Sequence, residues 1–120
     1  MTKWQLRKRK RLNNVADWLR ENFPTAYPVK VLVRWIAQPK GEFEDGSTWK
    51  QGRRFLIYIH TNINIHVQID TLLHEWAHAA TWRHETLEQH RVADHDDEWA
   101  LMYGRIYRAY HEEDKAESLK

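Results

Sequence analysis

The chain has no cysteine among its 120 residues. That excludes disulfide staples and every zinc finger or ribbon built on thiolates. Glycine and proline are scarce, four and three respectively, too few for a collagen-like or low-complexity chain. Long apolar runs are missing too. FLIYI at 55–59 falls far short of the ~20 apolar residues a membrane-spanning helix needs. The basic N-terminal stretch is not followed by an apolar segment of the kind a secretory signal requires. The expected setting is therefore the cytoplasm, with no membrane partner.

What is present fits one folded domain over residues 1–120: 42% hydrophobic, 12% aromatic and 30% charged residues. Net charge is only +2, but it is unevenly spread. Residues 1–40 hold ten Lys/Arg against Asp17 and Glu21, net +8, while the rest hold nine against fifteen acids, net −6. The excess concentrates in RKRKR at 7–11, a block that suits either a solvated helix surface or a nucleic-acid contact.

Apolar periodicity supplies the elements. Leu12, Val15, Ala16, Leu19 and Phe23 recur at helical spacing, which predicts a basic amphipathic helix over 3–23 that Pro24 ends, with Trp4 extending the stripe. Strands are expected within 29–60: VKVLVRWIA (29–37), then WKQGRRFLIYIH (49–60) as one strand or two hinged at Gly52. The intervening PKGEFEDGST (39–48) reads as loop. A helix over about 67–84 follows, with Asp70 a candidate cap and Ile69, Leu72, Leu73, Trp76 and Ala80 facing inward. A last helix, about 96–113, carries the stripe Trp99, Met102, Tyr103, Ile106 and Tyr110. Helix, strands, helix, helix indicates an α+β domain with a small antiparallel or mixed sheet.

Within DTLLHEWAHA (70–79) lies His74-Glu75-Trp76-Ala77-His78. Residues four apart stack on one helical face, so both imidazoles can reach one zinc ion. Glu75 is turned about 100° from His74 and leaves the ligand positions to histidine. The chemistry needs that division: zinc lowers the pKa of a water, and a carboxylate takes its proton as it attacks a carbonyl. Left without a metal in an apolar helix, these three polar side chains would need other partners.

A catalytic zinc usually takes three protein ligands, and His84, His90, His95 and Glu98 follow downstream. His84 has the metzincin offset of six from His78, but Thr81 replaces the glycine that turns that chain. On an unbroken helix it would lie about 240° from His78, on the wrong face. His95 stands at the expected entry to the last helix, in HDDEW, with Trp99 four residues on to anchor it.

These residues resemble the SprT-like and WLM zinc metallopeptidases, in which H-E-x-x-H is followed by a third histidine in H-G/D-x-x-F/W. The matching residues are His74, Glu75 and His78, then His95, Asp96 and Trp99; the likeness of layout spans about residues 12–110. The resemblance implies a zincin-like fold and a zinc cofactor held by His74, His78 and His95. It further implies Glu75 as general base and a protein or peptide substrate. Small ImmA-like peptidases use an acidic third ligand in such a helix, which keeps Glu98 in view. Two readings from other classes stand beside it: a DNA-associated protein using residues 7–11 with a structural zinc, and a zinc-binding module without catalysis.

Remaining candidates have plainer readings. His60 and His66 suit polar strand-end positions. Tyr103 and Tyr107 either pack or donate to a developing oxyanion. Trp18, Trp76 and Trp99 fit core positions, and the stretch Arg54–Ile59 could receive an extended peptide if it lay at a sheet edge.

Overall fold

The structure, a computed structural model, describes residues 2–25, 30–36, 46–51, 54–60, 63–82 and 97–112. Helix α1 spans Lys3–Asn22. Thr2 opens it with a capping box: the Gln5 amide donates to Thr2 Oγ1 (3.1 Å) and the Thr2 amide to Gln5 Oε1 (2.8 Å). The amide of Phe23 donates to the Leu19 carbonyl and closes the other end, one residue before Pro24. Its buried stripe is Leu12, Val15, Ala16, Trp18 and Leu19. Trp4 does not extend it. That side chain is 64% exposed, because the body against which α1 packs begins at Leu12.

Three strands form one mixed sheet of order β1-β3-β2. Strand β1 (Lys30–Ile36) runs parallel to β3 (Arg54–His60), with Val33 opposite Ile57. Strand β2 (Gly46–Gln51) runs antiparallel on the other side, with Thr48 opposite the same Ile57. One expectation is corrected here, and one condition is not met. The loop expected over 39–48 gives way to strand at Gly46, where pairing with β3 outweighs turn-forming composition. Arg54–Ile59 is the central strand, so neither of its edges is open to a peptide. Its burial on both faces accords with that: Phe55, Leu56, Ile57 and Ile59 are all buried.

Helix α2 (Ile65–Ala80) lies against β2 and β3 and touches both other helices. It begins earlier than its periodicity suggests because Asn64 caps it, accepting from the His66 amide at 2.8 Å. Asp70 is therefore an exposed residue of the second turn and no cap. The helix also stops sooner, at Ala80, with Thr81 as its C-cap; Ala80 is half-buried while Ile69, Leu72, Leu73 and Trp76 enter the core. Gly46 is needed where β2 meets this helix. A Cβ there would sit 2.6 Å from the Tyr58 carbonyl oxygen and 2.7 Å from Thr71 Cγ2, closer than real contacts allow.

Helix α3 (Asp97–Glu112) packs on α2. Ile106 and Tyr110 are buried, while Trp99, Met102 and Tyr103 pack partly buried against the core. The Trp76 indole N–H donates to the Phe23 carbonyl at 2.8 Å and ties α2 to the end of α1. Trp18 meets Tyr110 edge-on at 5.9 Å between ring centroids, joining α1 to α3. The protein is thus a small α+β fold. Among the described residues no helix is long and apolar enough to cross a membrane.

Candidate metal centre

The face of α2 that meets α3 carries Asp70, His74 and His78 at successive turns. The rings of His74 and His78 lie 5.2 Å apart, centre to centre. Together with Glu75 they form a group whose donor atoms all lie within 4.8 Å of one another, and which could hold a metal ion. Two imidazoles and a carboxylate are the donors a borderline divalent cation favours, so the residues present fit such an ion. His78 is buried and His74 half-buried.

Glu75 is buried between α2 and the sheet. Thr48 of β2, itself wholly buried, has its hydroxyl 2.7 Å from Glu75 Oε1 and 3.0 Å from the Glu75 carbonyl oxygen. The other carboxyl oxygen, Oε2, lies 3.7 Å from His74 Nε2. Burial raises the Glu75 pKa from 4.5 to about 7, and the Thr48 hydrogen bond works against that rise. A carboxyl poised near neutrality can both take and return a proton.

Helix α3 supplies a wall of rings. Trp99 stacks on His78 (5.3 Å, 23°) and meets His74 edge-on at 4.7 Å. Its indole N–H donates to the His74 carbonyl at 3.2 Å. One turn on, Tyr103 donates its hydroxyl to Asp70 Oδ1, and its ring lies 5.5 Å from that of His74. Burial, and then the Asp70 carboxylate, hold the Tyr103 phenol well above its usual pKa, so it stays a neutral donor committed to Asp70. Tyr107 is 47% exposed and continues the ladder.

The predicted residues fare unequally. His74, Glu75 and His78 come together. His95, like His84, His90 and Asp96, lies outside the described residues. The objection to His84 does lose its premise, since the helix that was to carry it round to the wrong face ends at Ala80. Glu98 is exposed in the first turn of α3 and does not join the group of three. His60 is buried, its carbonyl accepting from Gln68 Nε2 at 2.9 Å, and His66 is exposed; neither joins the group.

Thr48 and the Asp70–Tyr103 pair were not among the candidates for these roles. Asp70 carried a usable signal, since it stands four residues before His74 on the same face. Thr48 carried none, lying in a stretch that reads as loop. No protein-family model matches the chain, and no curated protein or solved structure is significantly similar to it.

Proposed function

We propose that the protein is a zinc metallopeptidase with a zincin-like domain, His74 and His78 holding the ion and Glu75 acting as general base. One observation carries this reading: two imidazoles and a buried carboxyl of near-neutral pKa converge within 4.8 Å on one helix. The match of His74, Glu75, His78, His95 and Trp99 to the SprT-like pattern agrees with it, and His95 is the proposed third ligand. A zinc ion held there would supply Lewis acidity to a peptide carbonyl and acidify the attacking water. Glu75 would accept a proton at Oε2, the oxygen facing His74, and return it to the leaving amine. Trp99 would keep both imidazoles from turning.

The substrate is a protein or peptide in extended form. Strand β2 lies at the sheet edge, adjacent to Glu75 through Thr48, and its outer side pairs with no strand among the described residues. An extended chain added there would run past the candidate centre.

A second reading concerns a partner. Residues 3–11 of α1 hold six Lys/Arg, and none of these nine residues is buried. Their charge suits the phosphate backbone of a nucleic acid, which would bring the peptidase to proteins bound there or, if the zinc were structural, be the main activity itself.

Metal analysis and a protein-cleavage assay on wild type and Glu75→Gln test the main reading. Bound zinc in both, with cleavage only by wild type, is expected. Absence of metal from both would sink it. Comparing His95→Ala, His84→Ala and Glu98→Ala for zinc retention identifies the third ligand, with loss expected in His95→Ala alone.

A further inference from the structure

Thr48 is 0% exposed and faces Ile57 across the sheet. Valine would fill the same space and suit a pleated strand as well. The hydroxyl is therefore what needs a reason. It has one proton and two acceptors in reach, the Glu75 carbonyl at 3.0 Å and Glu75 Oε1 at 2.7 Å. The carbonyl belongs to the interior of α2, where helical hydrogen bonding already serves it. The nearer carboxyl oxygen is also the better acceptor when ionised.

A glutamate has three rotatable bonds and a two-fold terminal torsion, so burial alone does not decide which oxygen faces which way. The contact with Thr48 does. It draws Oε1 to the sheet and leaves Oε2 on the histidine side, 3.7 Å from His74 Nε2. Tyr103 and Trp99 bear on the imidazoles from α3, and among the described residues no hydrogen bond from α3 to the Glu75 side chain is seen. From the sheet, Thr48 is the side chain bonded to it.

We propose that Thr48 is the positioning residue for Glu75: its hydroxyl pins Oε1 against edge strand β2, so that Oε2 alone is presented to the reacting water. This rests on the reading of Glu75 as the proton acceptor. It also ties the base to the strand on which an extended substrate would pair.

The test compares Thr48→Val, which keeps shape and removes the hydroxyl, with Thr48→Ser, which keeps the hydroxyl. Both are made in the full chain. Zinc content, thermal midpoint, kcat and KM are measured. The 13C resonance of the Glu75 carboxyl carbon, assigned by its absence in Glu75→Gln, is followed in metal-free and zinc-loaded protein. For Thr48→Val the expectation is unchanged zinc and KM with kcat lower by about 10- to 100-fold, the scale of a misplaced catalytic group. Thr48→Ser should recover kcat to within about threefold.

The Glu75 resonance should move in Thr48→Val and return in Thr48→Ser, with or without metal. Wild-type kcat in Thr48→Val, or an unmoved resonance, overturns the proposal. So does equal loss of kcat in the serine variant. Should Thr48→Val not fold, Thr48→Ala against Thr48→Ser makes the same comparison. A wild type that cleaves nothing while the resonance still responds would remove the peptidase reading and leave the pinning of Glu75 supported.

Discussion

The first half of α1 and the middle of α2 both concentrate ionisable side chains, and they treat them in opposite ways. In α1 the cations at 3, 7 and 10 stand exposed along one outer stripe. Lys8, nearer the body, reaches the Ile63 carbonyl at 3.0 Å and lies over the Trp4 ring. Such charges stay hydrated and cost little. In α2, Glu75 and His78 are taken out of water, which is costly unless each polar atom finds a partner. There the contacts are specific: the Thr48 hydroxyl bonds to Glu75, and the Trp99 ring stacks on His78. A dense set of exposed charges therefore speaks of long-range attraction, while a small, buried and individually supported set speaks of chemistry.

The contrast can be broken most sharply at Glu75. Glu75→Gln should lower kcat by about 10³-fold, the usual worth of a general base, with zinc content unchanged in metal analysis. A fall of only a few-fold would place Glu75 with the ordinary polar residues.

Stability against pH gives the next largest effect. The unfolded chain releases the Glu75 proton near pH 4.5, the folded chain near 7. Between these values the folded state holds the extra proton, so stability falls as pH rises and stays lower above 7. The loss is on the order of 3 kcal/mol. Denaturant melts of metal-free protein at pH 4.5 and pH 8 should show it, and Glu75→Gln should flatten the difference.

At Trp99 a smaller effect is expected. Trp99→Phe retains a ring against His74 and His78 but loses the N–H to the His74 carbonyl, costing about 1 kcal/mol in the same melts and weakening zinc retention.

The smallest change in stability belongs to α1. Replacing Lys3, Arg7 and Lys10 by Gln should shift stability by about 0.5 kcal/mol or less. If the helix meets a nucleic acid, anisotropy titrations with a DNA duplex should show weaker binding and a log–log salt slope shallower by about 3. A large stability loss would mean that these charges are structural after all.

Much of this could be read along the chain wherever the signal was local. Leu12, Val15, Ala16 and Leu19 mark the buried face of α1, and the inward residues of α2 and α3 follow the same period. The pairing of His74 with His78 needs only a helix between them. Misreadings occur where a neighbour distant in sequence decides. Trp4 has the right spacing but no body beneath it. Gly46-Ser47-Thr48 has turn composition but a strand to pair with. Arg54–Ile59 could take an extended peptide only at a sheet edge, and β1 and β2 flank it.

By itself the sequence determined which side chains share a helical face, and so that two histidines stand one turn apart on α2 with a glutamate next to the first. A fixed rise and turn per residue is enough for that. Only the tertiary structure decided what surrounds them: Thr48, 27 residues away, on one oxygen of Glu75, and Trp99, 25 residues on, at the His74 carbonyl. Burial raises the Glu75 pKa, and burial is set by what packs from outside the helix, for which no local pattern of residues carries a signal.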